Sequence, residues 1–217
     1  MSQFFNIHLD NPQLRLIQQA VHIIKQGGVI VYPTDSCYAL GCQIGNKDAA
    51  TRLLRVRGLD VGHDLTLVCR DLSELGRYAQ VDNTQFRFLK AHTPGAYTFV
   101  LRGTREVPKR LLHKKNDTIG LRVPDHSVVQ ALLDELGEPL LSSTLLLPGE
   151  DVPLCEPWEI RSVALTITQH DRCVGGEIDD GRWSHSARAA IDHQLDLVFQ
   201  PLADLPRLAQ GDVFAGQ

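Results

Sequence analysis

Residues 27–42, GGVIVYPTDSCYALGC, set four successive apolar residues, Val29 to Tyr32, directly before Pro33-Thr34-Asp35-Ser36. Four apolar residues in a row leave no polar face, so the run reads as a strand buried on both sides. Such a strand belongs in a sheet covered by other layers, which restricts the chain to α/β architectures. The change to three small polar side chains is the second constraint. Asp35 and Ser36 suit an Asx-type turn that hydrogen-bonds its own backbone. A cradle for a small ligand is the other reading, because open sheets bind ligands at strand ends.

The rest of the chain supplies the layers. Asn11-Pro12 opens a helix with Leu16, Ile17, Ala20, Val21 and Ile24 on one face, and Gly27-Gly28 ends it. Asn46 caps a helix with Ala49, Ala50, Leu53 and Leu54 inside, and Leu65 to Val68 follows as a second buried strand. Asp82 caps another helix up to about His92, Thr93-Pro94-Gly95 breaks it, and Tyr97 to Leu101 is a strand. A short helical turn after Pro108 leads to a strand over 118–123, a helix from Ser127 to Leu136 stopped by Gly137, and a strand from Leu140 to Ser142. No repeat or low-complexity linker divides these elements. The expected fold is a single α/β (α+β) domain with a twisted mixed sheet flanked by helices.

Charge and cysteine usage narrow the function. Residues 52–122 hold 14 Lys/Arg against 7 Asp/Glu, a balance of +7, whereas the remainder holds 8 against 19 in a chain of net charge −4. Such a block is a solvated face or a surface for phosphates, of a nucleotide or of an RNA backbone. The five cysteines, 37, 42, 69, 155 and 173, are scattered and lack the spacing of a zinc site, so reduced thiols and no metal centre are expected. No basic start precedes a long apolar run, and no segment nears the roughly 18 apolar residues of a membrane span, so a cytoplasmic location is expected. The spacings of GxxxxGK[ST], GxGxxG and GxSxG are absent, and nothing fixes His63 and Cys69 as a catalytic pair.

In order along the chain come GGVIVYPTDSCYALGC, LLRVRG, HDLTLVCRDLSEL, TPGAYTFVLRG, TIGLRVPDH and LLSSTLLLPG. Together these blocks resemble the YrdC/YciO family, over roughly residues 15–160, and within it the YciO branch. The resemblance implies a YrdC-like fold with a concave basic groove over 1–160. It also implies the chemistry of the family's enzymes: L-threonine, bicarbonate and ATP give L-threonylcarbamoyl-AMP and pyrophosphate, a nucleotidyltransferase step that serves tRNA modification. ATP with Mg2+ would then be a substrate, with no tightly bound cofactor. The family is also noted for RNA binding, so a non-catalytic protein for double-stranded RNA, tRNA or ribosomal RNA is the alternative.

Carried over residue by residue, the resemblance makes Arg55 and Arg57 the catalytic cations. Thr34, Ser36, Tyr38 and Arg122 become threonine-binding, and Arg57, His63, Ser142 and Thr144 nucleotide-binding. Positioning and cations are what attack of a carbamate oxygen on the α-phosphate needs. Two arginines at a helix end also serve as surface charges that offset the helix dipole. Arg122, inside an otherwise apolar strand, needs a partner, which a phosphate or an acidic neighbour supplies. Two departures bear on activity. Arg55 stands where the family has Lys, and Leu146 stands where a Ser-x-Asn element has its Asn, a loss of about 1–3 kcal/mol if that Asn holds nucleotide. From residue 161 the family's closing blocks are not recognisable. Residues 161–217 are therefore set apart as a diverged tail, produced by a shifted reading frame or folded in its own way.

Overall fold

The computed structural model describes residues 3–60, 64–155, 159–160 and 195–199. Among the described residues the named strands and α-helices, eight and five of them, follow in the order β1 (Phe4–Asn6), α1 (Leu14–Lys25), β2 (Val29–Tyr32), β3 (Ala39–Gln43), α2 (Lys47–Val56), β4 (Thr66–Val68), α3 (Leu72–Tyr78), α4 (Asn83–His92), β5 (Phe99–Arg102), β6 (Thr118–Arg122), α5 (Ser127–Leu136), β7 (Leu140–Thr144) and β8 (Leu195–Phe199). A 3-10 turn, Lys109–Leu111, lies between β5 and β6.

All eight strands join one mixed sheet in the order β1-β8-β2-β3-β7-β4-β6-β5. β8 runs parallel to β1 and β2, β4 runs parallel to β6, and the β2–β3, β3–β7, β7–β4 and β6–β5 pairs are antiparallel. The expected mixed sheet flanked by helices is present. β8 falls inside the segment set apart as a tail, and it is the strand that connects β1 to the rest. The remainder of 161–217 lies outside the described residues.

Every residue of β2 is buried, as its apolar run requires. On one face α1 and α5 contribute Ile17, Ala20, Val21, Ile24, Val128, Val129, Leu132 and Leu133, which pack with Ile30, Tyr32, Ala39, Val68 and Leu140. On the other face α2 brings Ala49, Ala50, Leu53 and Leu54 against Val29, Val31, Leu40, Cys42, Leu67, Leu121 and Leu141. Gly41 is required where β3 passes between these layers: a Cβ there would lie 2.5 Å from Leu140 Cδ2 and 2.8 Å from Tyr32 Cε1. Gly137 ends α5 at φ +75°, a left-handed conformation that costs glycine little.

Local signals account for the helix starts. The Asn46 side chain accepts the Ala49 N–H at 2.9 Å, and Asp82 with Gln85 forms a reciprocal capping box at α4. The sequence reading lacks β1, β3, α3 and β8. It also opens α1 at Asn11-Pro12, whereas the helix begins at Leu14.

Cover stops part-way across the sheet. β6 alternates, with Ile119 and Leu121 buried and Thr118, Gly120 and Arg122 half-buried, and in edge strand β5 Val100 and Arg102 are exposed. The register sets Thr66 beside Gly120 and Gly120 beside Val100, so these residues share one face with Ser142.

Candidate functional site

The turn after β2 is organised by Thr34. Its hydroxyl donates to the Cys37 carbonyl at 2.6 Å, accepts the Ser36 N–H at 3.2 Å and lies 3.0 Å from the Ser36 hydroxyl. Asp35, the residue expected to make an Asx-type turn, points away instead. Its carboxylate is ion-paired with Arg122 Nη2 and accepts the Asp125 N–H at 3.0 Å. Arg122 Nη2 also donates to the Ser36 hydroxyl at 3.2 Å. The acidic neighbour that Arg122 needs is thus Asp35, 87 residues earlier. Arg122 Nε is buried and has no hydrogen-bond partner. His126 closes this side. Its Nδ1 is buried without a partner, and desolvation holds its pKa below the ordinary histidine value against the pull of Asp35 and Asp125.

A second group of polar atoms forms around Arg57, which ends α2. Its Nε donates to the Ser143 hydroxyl at 3.1 Å and its Nη1 to the Leu146 carbonyl. Desolvation lowers its pKa, although the group stays cationic at neutral pH. Arg55, two residues earlier, is exposed. Among the described residues no hydrogen bond or ion pair links the Arg57 group to the Arg122 group.

The expected nucleotide contact Ser142 is occupied elsewhere. It is 4% exposed, its hydroxyl donates to the Leu40 carbonyl at 3.0 Å, and it therefore accepts from the Tyr32 phenol, 2.6 Å away. Burial pushes the Tyr32 pKa up to about 12. Because successive residues of a strand face opposite ways, Ser143 rather than Ser142 looks towards α2 and Arg57. Thr144 is exposed at the end of β7. Tyr38, expected as a ring wall for threonine, is 3% exposed within the core cluster, so its ring braces the turn from behind. His63 lies outside the described residues. Asp35 and Ser143 are the residues that sequence reasoning missed. The charge demand of Arg122 pointed to the first, and strand alternation to the second once the register was known.

The expectation of reduced thiols does not hold for one pair. Cys37 and Cys155 form a disulfide across a separation of 118 residues, with Cα atoms 4.4 Å apart. Backbone bonds bring them together: the Tyr38 N–H donates to the Leu154 carbonyl at 3.0 Å, and Leu145 N–H to the Tyr38 carbonyl at 2.9 Å. The segment after β7 is thereby laced to the turn. Cys42 and Cys69 are buried free thiols whose pKa burial raises, to about 12 for Cys42. Among the described residues no three His, Cys, Asp or Glu side chains group to hold a metal, and no helix is long and apolar enough to cross a membrane.

The structure is a mixed α/β sheet with a polar turn and a half-buried arginine at its strand ends. Comparison gives the family. The Sua5/YciO/YrdC family profile, described as telomere recombination, matches residues 22–170. The chain is 60% identical over 161 residues to YciO of Escherichia coli, covering 74% of this chain and 78% of that one. It is 31% identical over 167 residues to the threonylcarbamoyl-AMP synthase of Pseudoalteromonas translucida, covering 76% and 85%. The crystal structure of Escherichia coli YciO superposes with a TM-score of 0.73, covering 91% of this chain and 83% of that one. Sua5 of P. abyssi, solved with L-threonine, shares the fold at a TM-score of 0.63 and 21% identity, covering 68% and 43%. The chain belongs to the Sua5/YciO/YrdC family.

Proposed function

We propose that the chain is a threonylcarbamoyl-AMP synthase-type enzyme of reduced activity, with L-threonine, bicarbonate and MgATP as substrates. Its support is the polar group at the end of β2, and the observation that carries it is the unpartnered Arg122 Nε. A buried donor without an acceptor is rare in a folded protein and suits an anion that arrives with a ligand. The Thr34 and Ser36 hydroxyls stand beside it, matched to the hydroxyl and ammonium of threonine, while the substrate carboxylate competes with Asp35 for the guanidinium.

In the reaction, the threonine nitrogen and bicarbonate form a carbamate with loss of water. A carbamate oxygen then bonds to the α-phosphorus of ATP as the bond to the bridging oxygen breaks, and pyrophosphate leaves. The phosphates would be held by Arg57 and Arg55, with the Ser143 hydroxyl fixing the Arg57 fork. Leu146 offers only its backbone carbonyl to this region, and Arg57 already occupies it, which supports reduced activity.

The test is pyrophosphate release from ATP, magnesium and bicarbonate with L-threonine, L-serine or no amino acid. Threonine-dependent release is expected. Its absence from folded protein, or equal release with all three, removes the reading. A second reading, binding of double-stranded RNA or tRNA with little catalysis, has its support in the central basic block. Among the described residues Arg87, Lys90, Arg102, Arg105, Lys109, Lys114 and Lys115 form no ion pair.

A further inference from the structure

The chain that follows β7 has little of its own to hold it against the sheet. Glu150, Asp151 and Val152 are exposed, Val152 at 71%, and among the described residues between Leu145 and Ile160 Leu154 is the one that packs against the core. Backbone hydrogen bonds lace its two ends: Leu145 N–H to the Tyr38 carbonyl at 2.9 Å, Tyr38 N–H to the Leu154 carbonyl at 3.0 Å and Leu154 N–H to the Leu145 carbonyl at 3.0 Å. Segments with so little buried apolar contact open at low free-energy cost. Residues 146–155 are therefore a strap, and the Cys37–Cys155 disulfide is its covalent fastening.

That fastening joins the elements that carry the two polar groups. On one side Cys37 follows Ser36, and its carbonyl accepts the Thr34 hydroxyl at 2.6 Å, so displacing Cys37 displaces the hydroxyls of the turn. The Ser36 hydroxyl in turn accepts from Arg122 Nη2 at 3.2 Å. On the other side Cys155 ends the strap whose first residue, Leu146, gives its carbonyl to Arg57 Nη1. Both bridged cysteines are half-buried and within reach of a small thiol, whereas Cys42 and Cys69 are buried in the core. Disulfides that small thiols can reach are the ones that exchange and regulate.

We propose that Cys37 and Cys155 are a thiol–disulfide exchange site that switches the Thr34–Arg122 group between a set and a loose state. The co-reactant is a low-molecular-weight disulfide. One cysteine thiolate attacks it, forming a mixed disulfide and expelling one small thiolate; the second cysteine thiolate then attacks the protein sulfur of that mixed disulfide, closing the Cys37–Cys155 bond and expelling the other. The protons lost by the two cysteines end on the two expelled thiols, so two protein thiols are oxidised as one small disulfide is reduced. Excess small thiol runs the same steps in reverse. Closed, the bond fixes strap and turn together. Opened, it lets the strap leave and the turn sample conformations in which Thr34 and Ser36 no longer face Arg122. The effect on a ligand rests on the reading of this group as an amino-acid site.

The experiment compares the full chain equilibrated with oxidised or with reduced glutathione. Peptide mapping reads the Cys37–Cys155 bond, amide hydrogen exchange reads residues 146–155, and calorimetric titration reads the affinity for L-threonine. Reduction is expected to open the bond, to speed exchange over 146–155 and to weaken threonine binding about 5-fold or more, as for a turn that is competent about one-fifth of the time. The double change Cys37→Ser/Cys155→Ser, checked by a cooperative melt, should behave like the reduced parent in both mixtures. The comparison of the two states of the parent needs no substitution. Threonine bound equally by both states, or more tightly by the reduced one, overturns the switch and leaves the amino-acid reading standing. A redox response that persists in the double variant, or no Cys37–Cys155 bond in oxidised glutathione, overturns it as well. Threonine bound by neither state removes the amino-acid reading, and the exchange rates then decide the strap alone: faster exchange on reduction upholds it, and equal exchange overturns it.

Discussion

The two halves of the sheet solve the same problem differently. In β2, β3 and β7 nearly every side chain is covered, by α1 and α5 on one face and α2 on the other. In β6 and β5 burial alternates, and the edge strand carries Val100 at 69% exposure. The difference shows in composition before it shows in packing: VIVY has no polar residue to spare, whereas TIGLR sets Thr118, Gly120 and Arg122 on one face. A sheet covered on both sides supplies rigidity, and the half left open supplies a surface. The polar turn of Thr34, Asp35 and Ser36 sits on the first and reaches Arg122 on the second.

Removing equal chemistry from the two halves should expose the asymmetry most strongly. Leu40, fully buried in β3, is expected to cost about 2–5 kcal/mol of unfolding free energy as Leu40→Ala, since a cavity remains where neither face can collapse. Val100→Ala on the open face should stay within about 0.5 kcal/mol. Urea denaturation followed by circular dichroism reads both. Comparable losses at the two positions would mean that the open face is covered in solution.

How far the sequence revealed these halves depended on whether the signal was local. The strand 29–32, the caps at Asn46 and Asp82 and the stop at Gly137 are all local, and all are where the pattern placed them. β3 is different: Ala39–Gln43 contains a glycine and a cysteine, poor strand signals, and is held by ladders from β2 and β7. The Asp71 cap and Glu74 do mark α3, yet Gly76 interrupts a helix of only seven residues. β1 and β8 depend on a pairing almost 200 residues apart in the chain, which no periodicity encodes. The site divides the same way. Thr34, Ser36 and Arg122 were readable as small polar groups and an isolated charge, whereas the choice between Ser142 and Ser143 rests on register, and a one-residue slip reverses it. The Cys37–Cys155 pairing likewise follows from the ladder that joins Tyr38 to Leu145 and Leu154.

That disulfide gives the next test, because it constrains only the covered half. Closing a loop of 118 residues removes freedom from the unfolded chain, and about 2–4 kcal/mol is the usual return. Reduction with dithiothreitol should lower the melting temperature of the parent protein and leave Cys155→Ser unchanged. An equal shift in both would place the effect of the reductant elsewhere.

The smallest expected effect separates burial from bonding at a single phenol. Tyr32 is fully buried in the covered half and donates to Ser142, whose hydroxyl in turn donates to the Leu40 carbonyl. Tyr32→Phe removes one donor and orphans none, since the Ser142 hydroxyl keeps its acceptor, so about 0.5–1.5 kcal/mol is expected at neutral pH. The pH dependence is more telling. The folded-state pKa is raised, from an ordinary value near 10 to about 12, because burial disfavours the phenolate. Stability tied to the neutral phenol is thus complete below about pH 10 and is lost as pH rises towards 12, where unfolding releases a proton that the folded state retains. Denaturation midpoints across pH 9 to 12 should fall more steeply in the parent than in Tyr32→Phe. Parallel curves would mean that solvent reaches this phenol, and that the covered half is more open than its apolar strand implies.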